Sequence, residues 1–246
     1  MTDSESHSRF YPLNFNAITN EPYLRLPSPH DNIIITPQRL SDAEEIVPIL
    51  NDEKVYMTLL GPPFPYTIGD AHPWLLKGKQ ESDALLAELA ENHSTHAVGG
   101  CPVNILREVQ EDGSDVYLGS VDLHRCRWFH VPHSDEKLAM IKANEARTAG
   151  DPAITWEFGD YLASSHHGRG IMSAAIGVVL RQWAIPRMRV RHMSVTAFQS
   201  NPASVRVFEK NGFILKGIVE DCVDMQESKG GGKTGLHVLE WSMAEM

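Results

Sequence analysis

Two helix starts, one strand apart, constrain this chain more than any other part of it. The first is Gly168-Arg169-Gly170-Ile171-Met172-Ser173-Ala174-Ala175, a glycine turn that runs straight into an amphipathic pattern with Met172, Ala175, Ile176, Val179, Leu180 and Trp183 at core-facing spacing. The second is Asn201-Pro202-Ala203-Ser204. There Asn201 is placed to cap a short helix, Pro202 suits its first turn, and Gly212 suits the left-handed position beyond its end. A helix opening from a glycine turn presents unpaired N–H groups and the positive end of its dipole, an arrangement suited to a diphosphate.

The chain has 246 residues, enough for one sizeable core, and is read as a single domain over 33–246 preceded by an extended arm over 1–32. That arm holds Pro12, Pro22, Pro27 and Pro29, with aromatic residues too numerous for a fully solvated tail. Asp plus Glu outnumber Lys plus Arg by 32 to 22, a formal charge of −10, which argues against a binder of phosphate backbones and predicts no nucleic-acid partner. A cationic amine is compatible with it. Cys101, Cys126 and Cys222 are widely spaced, so neither a disulfide framework nor a metal site is expected and buried thiols are the simpler reading. Met1–His7 lacks a basic start followed by an apolar block, and no stretch approaches a membrane span. No membrane association is expected, and the cytoplasm is the expected compartment, with the nucleus left open.

Along the chain, Ile33–Thr36 is a strand candidate, and Ser41-Asp42-Ala43-Glu44 reads as a capping box before a helix containing Pro48. Two helical stretches follow, Thr67 to Leu76 and Ser82 to Glu91. Strands are predicted at His96–Val98, Cys101–Ile105 and Val116–Leu123, the last two joined by a hairpin-type turn at Glu111–Ser114. An insertion at about 125–152 interrupts this meander and carries a helix near Glu136–Arg147. Ile154–Leu162 is a strand leading to the glycine turn, and Pro186 is expected to stop the helix beyond it. Ile214–Val223 and Leu236–Met243 are the last two strands, with Lys229-Gly230-Gly231-Gly232-Lys233 a flexible connector between them.

This order of elements resembles the GNAT acetyltransferase superfamily from about residue 33 to residue 244. The chain is most similar to the group of ribosomal-protein N-terminal acetyltransferases and their fungal relatives. The matching residues are Gly61-Pro62-Pro63, Glu157-Phe158-Gly159, Gly168-Arg169-Gly170, Asn201 with Ser204, and Glu209-Lys210-Asn211-Gly212-Phe213. The resemblance implies an α/β (α+β) GNAT fold, with a mixed sheet of about seven strands flanked by helices. It also implies acetyl-CoA as donor and direct transfer to a primary amine, on a peptide N-terminus or a small molecule. A GNAT-fold protein that holds acyl-CoA or serves as an interaction module without efficient catalysis is the alternative, and a homodimer through the arm is a further expectation. One departure stands out: the family turn commonly begins with Gln or Arg three residues before its first glycine, where this chain has Ser165 followed by His166-His167.

By resemblance, backbone around Tyr161, Leu162 and Ala163 pairs with pantetheine, and His167, Gly168, Arg169, Gly170, Ile171, Met172 and Ser173 hold the pyrophosphate. Asn201 bonds the pantetheine arm or neighbouring backbone, and Phe208 packs against the cofactor. Glu157 is the candidate general base, since its strand points alternate residues towards the cleft. A structural glutamate bonded to loop backbone is the competing reading. Ser204 is the candidate for donating a proton to the departing thiolate, or else merely satisfies backbone groups in its helical turn. The 61–91 and 125–152 segments are expected to wall the amine side. Glu220, Asp221 and Asp224 are read either as amine-selecting charges or as surface charge on an edge strand.

Overall fold

The computed structural model describes residues 9–91 and 96–243. Met1–His7, from which the absence of a leader was read, lies outside them. Nine strands form one sheet: β1 (Asn14–Phe15), β2 (Pro22–Arg25), β3 (Ile33–Thr36), β4 (Ile105–Val109), β5 (Asp115–Arg125), β6 (Thr155–Leu162), β7 (His192–Phe198), β8 (Ile214–Asp224) and β9 (Lys233–Ser242). Their order is β1-β2-β3-β4-β5-β6-β7-β9-β8, antiparallel throughout except between β6 and β7. The sheet exceeds the expected seven strands because the N-terminal segment adds two. Leu24 pairs with Ile35 and Arg25 with Ile34, so this part of the arm is an edge of the sheet.

The helices are α1 (Ala43–Leu50), α2 (Glu53–Tyr56), α3 (Ile68–Glu91), α4 (Asp135–Glu145), α5 (Ile171–Val178) and α6 (Pro202–Glu209). One sheet face packs Leu106, Leu118, Val121, Trp156, Phe158 and Leu162 against α5 and α6. The other packs Ile105 and Tyr117 against α1, α2 and the start of α3 through Ile46, Leu50, Val55 and Leu75. Neighbouring residues thus divide between two cores, as the two-residue strand period requires.

Local reading and structure part at several points. The two helical stretches at 67–91 are one 24-residue helix, α3, which runs through Pro73 and Gly78; of the residues between the stretches, Lys77, Lys79, Gln80 and Glu81 are good helix formers. The runs expected as strands at His96–Val98 and Cys101–Ile105 are irregular up to β4, which begins at Ile105. Pro186 does not stop the helix: α5 continues as a π-helical segment, Val179–Ala184, and then an α-helical turn, Ile185–Met188. The i−4 hydrogen-bond register is already broken where the proline enters, so its missing N–H is tolerated. The chain leaves this helix at Arg189, in the left-handed region (φ 55°).

A buried ion pair ties α1 to the sheet. The guanidinium Nη2 of Arg107 on β4 donates to both Asp42 oxygens at 2.8 and 2.7 Å, its Nε donates to Thr36 Oγ1 at 2.7 Å, and both charged side chains are 1% exposed. Asp42 Oδ2 also accepts from the Arg39 N–H (2.9 Å), closing the turn before α1, so the cap there is Asp42 rather than Ser41. Removing Asp42 leaves the buried guanidinium with only Thr36 and, at 3.5 Å, Asp115 as hydrogen-bond partners among the described residues. Asp42→Ala is expected to lower stability in urea unfolding by about 3–5 kcal/mol, whereas Asp42→Leu with Arg107→Met costs far less.

Candidate active site

The sheet opens where β6 meets β7. Their parallel pairing covers only Thr155 with His192 and Trp156 with Met193. Beyond that, β6 stays paired with β5 from Trp156 to Leu162, and β7 with β9 from His192 to Phe198. Each strand follows its own partner, the two diverge, and the β7-facing backbone of Glu157–Leu162 has no strand beside it. Gly119 on β5 makes the approach to β6 close enough: a Cβ there would sit 2.1 Å from the Tyr161 carbonyl oxygen.

A cavity of about 880 Å³ fills the opening. Glu157, Tyr161, Leu162, His167, Gly168, Met172, Asn201 and Ser204 border it; Ala163, Arg169, Gly170, Ile171, Ser173 and Phe208 do not. At its mouth Gly168 (φ 73°) and Gly170 (φ 82°) take the left-handed conformation, and Gly170 leads directly into α5. A Cβ on Gly168 would meet nothing within 4 Å, so the turn faces open space. The residues present therefore fit an extended ligand with a diphosphate: free strand backbone along one wall and a glycine turn with helix N–H groups at its end.

The histidines of the turn are engaged by the protein. His166 Nε2 lies 3.5 Å from Glu108 Oε2, and His167 Nε2 bonds the Leu162 carbonyl at 2.8 Å. Ser164 Oγ bonds Asp52, which also caps α2 through the Lys54 N–H, so the turn is fastened to α2. Phe208 is a core residue, 1% exposed, its ring 5.2 Å from that of Phe213 and 6.4 Å from that of Phe158.

Glu157 is nearly enclosed. Its Oε2 accepts the Arg127 N–H at 2.8 Å, and its Oε1 lies 3.1 Å from His124 Nε2. His124 is half exposed and borders the same cavity. Ser204 sits in the first turn of α6, its N–H donating to Asn201 Oδ1 at 3.2 Å, while its hydroxyl has no partner among the described residues. Carboxylate and hydroxyl thus border one cavity, from the two sides of the sheet's opening.

Three further groups there escaped the sequence reading. His124 and Asp122 alternate along β5 and stand opposite Glu157 and Gly159 of β6. Asp122 accepts from Asn104 Nδ2 and Ser120 Oγ, yet burial pushes its carboxyl up. Asp160 has no hydrogen-bond partner among the described residues, and burial, with Asp122 adding like charge, pushes its carboxyl up to about 7. The signal was Asp122 near the end of the expected Val116–Leu123 strand and His124 just beyond it, but only the register to β6 gives it meaning. Cys126, beside Glu157, is held as a thiol by burial.

Loops from the two long segments line the cavity as well. Lys229 Nζ donates to the carbonyls of Leu59 and Pro62 at 2.7 Å each, and Gln226 Nε2 to those of Leu60 and Pro62 at 3.1 Å. The Lys229–Lys233 segment, expected as a flexible connector, is therefore anchored at Lys229, itself 5% exposed. Gly61-Pro62-Pro63 and Tyr66 from the 61–91 segment and Phe129 from the 125–152 insertion line the cavity. Glu220, Asp221 and Asp224 do not; Asp224 pairs with Lys233 across β8 and β9 at 2.8 Å.

The acetyltransferase (GNAT) domain family matches residues 32–214, three quarters of the chain and all of the elements that build this cavity up to α6. The chain belongs to the GNAT acetyltransferase family. It is similar to the ribosomal-protein-serine acetyltransferase of Escherichia coli (strain K12), 30% identical over 116 residues that make up 46% of this chain and 63% of that relative. Less than two thirds of the relative's length is therefore spanned. Among solved structures, RimL, a ribosomal L7/L12 alpha-N-protein acetyltransferase, superposes with a TM-score of 0.59 at 11% identity, covering 94% of this chain and 99% of its own. MccE, a microcin C7 self-immunity acetyltransferase solved with acetyl-CoA and AMP, superposes with a TM-score of 0.54 at 16% identity, covering 87% and 93%. These superpositions establish the GNAT fold, with β1 and β2 added to the sheet expected from the sequence.

The raised carboxyl of Asp160 fixes the sign of a pH effect. The folded protein holds this proton more tightly than the unfolded chain, whose Asp titrates near about 4. Folding therefore loses stability as pH rises from there through about 7. Asp160→Asn removes the slope. The melting temperature of the variant should exceed that of the parent by a margin that grows between about pH 5 and 8 and then levels; a constant margin across that range would reject the assignment.

Proposed function

We propose that this chain transfers an acetyl group from acetyl-CoA to a primary amine, and that the acceptor is a peptide or protein N-terminus. The observation that carries the reading is the unpaired β6 edge running up to the Gly168-Arg169-Gly170 turn. Backbone of Tyr161–Ala163 would pair with the pantetheine arm, and Gly168 to Ser173 would hold the diphosphate through N–H groups. The thioester supplies an activated acetyl carbon. Glu157, 8% exposed and fixed by the Arg127 N–H, is placed to take the proton of the attacking amine. The free hydroxyl of Ser204 is placed to protonate the leaving sulfur. Family membership supports the reaction class, and MccE, which holds acetyl-CoA, supports the donor. RimL and the ribosomal-protein-serine enzyme act on ribosomal proteins, which supports a protein acceptor and a place of work among ribosomes in the cytoplasm.

The bond from the Arg127 N–H to Glu157 also favours a second reading, a structural glutamate in an acyl-CoA-binding protein without efficient turnover. Two measurements separate the readings. At about a hundredfold excess over Kd, acetyl-CoA should raise the melting temperature by roughly 5 to 10 °C, ATP should not, and Gly168→Glu should abolish the rise. Glu157→Gln should then keep that rise but lower kcat about 10²- to 10⁴-fold in a thiol-release assay with Ser-, Ala- and Met-initiated peptides. An unchanged kcat assigns Glu157 to structure alone, and faster turnover of spermine than of any peptide reassigns the acceptor.

A further inference from the structure

The cavity wall contains a titratable side chain to which the reading above gives no task. His124 stands opposite Glu157 in the β5–β6 register, and its Nε2 lies 3.1 Å from Glu157 Oε1. Glu157 Oε2 is taken by the Arg127 N–H at 2.8 Å, so Oε1 is the oxygen left for proton traffic. Glu157 itself is 8% exposed whereas the His124 side chain is 44% exposed. A proton that arrives on Glu157 therefore has little direct contact with water, and the ring beside it has much. The remaining groups near this pair point the same way. Asp122 faces His124 along β5, Cys126 is held as a thiol, and His130 is held neutral by burial and by Lys137. His124 alone joins the enclosed carboxylate to the half-exposed surface among these described neighbours.

We propose that His124 is the proton exit of this site, a positioning and relay residue that acts through Glu157. The inference rests on Glu157 serving as base. When the amine nitrogen forms its bond to the acetyl carbon and the carbon–sulfur bond breaks, the sulfur leaves as a thiolate and takes a proton from water, directly or through the Ser204 hydroxyl, which water then reprotonates. The proton lost by nitrogen passes to Glu157 Oε1 and then to His124 Nε2, with the ring in its Nδ1–H tautomer; the ring gives up one proton to solvent and returns to that tautomer. Glu157 is thereby returned as a carboxylate. No redox partner is needed, since only protons move.

Three variants and two readouts test this. In single turnovers with acetyl-CoA and a Ser-initiated peptide, His124→Ala should slow transfer at least about tenfold, and added imidazole should restore most of the loss while leaving the parent unaffected. His124→Gln can still hydrogen-bond Glu157 but relays no proton, so it should stay slow; recovery in His124→Gln would reduce His124 to a purely structural hydrogen bond. The second readout needs no turnover: in the protein without acetyl-CoA, the ¹⁵N resonance of His124 Nε2 should shift in Glu157→Gln. An unmoved resonance, or a slow His124→Ala that imidazole cannot help, overturns the relay. If the parent enzyme acetylates no peptide, or Glu157→Gln is as fast as the parent, the base reading fails first and the relay with it.

Discussion

The parting of β6 from β7 is the constraint on which the rest of the molecule depends. Two residue pairs hold these parallel strands together, whereas β6 has seven partners on β5 and β7 seven on β9. Each strand is committed to its antiparallel neighbour along its full length, so the right-handed twist of the two half-sheets resolves as a gap rather than as strain in either. A gap in a sheet is costly, because it exposes backbone N–H and C=O groups that need partners. Here the unpaired groups face a cavity instead of apolar packing. That is the one environment in which an incoming ligand with an amide-bearing arm replaces the missing strand.

The elements around the gap are then arranged by what each can satisfy. Asn201 caps α6, Pro202 occupies its first turn, and the Asn211 side chain bonds back to the Ser173 carbonyl of α5, so the two helices that border the cavity are fixed to each other. On the opposite face, the buried Arg107–Asp42 pair fixes α1, and Asp52 joins α2 to Ser164 at the head of the glycine turn. Together these contacts make the cavity mouth rigid from both sides of the sheet. On the proposed reading, preorganisation of this kind would let backbone N–H groups serve in place of the amide or basic side chain that Ser165 does not provide.

Much of this was legible before any coordinates. The strand–turn–helix at 154–184 and the capped helix at 201–209 carry local signals of their own: glycine where φ is positive, asparagine at a cap, and apolar residues at helical spacing. Glu157 was legible as well, because it lies on a strand that leads into the turn. What the sequence concealed is set by pairing across the sheet. Asp122, His124 and Asp160 gain meaning only from the register that puts Asp122 opposite Gly159 and His124 opposite Glu157, and register is not a local property. The N-terminal strands were hidden for a related reason. Segments of two and four residues among prolines have no periodicity to read, and they become strands only because β3 offers an open edge.

The carboxyl groups of the cavity show how one environment separates chemically identical side chains. Asp122 and Asp160 occupy adjacent strands, yet Asp122 has two donors whereas Asp160 has none among the described residues, and both are pushed towards the neutral form by burial. Glu157 instead has a backbone N–H on one oxygen and an imidazole on the other. A carboxylate that must accept a proton and give it up again needs a donor to hold its position and an acceptor to take the proton away. Of these three carboxyl groups Glu157 alone has a backbone donor on one oxygen and an imidazole on the other, so on the proposed reading local hydrogen bonds rather than the number of acidic residues distinguish the base from its neighbours. This also accounts for the poor guidance given by net charge. The formal −10 counts buried carboxyl groups such as Asp42 and Glu157 with the exposed ones, whereas the proposed chemistry turns on which single carboxylate is given partners.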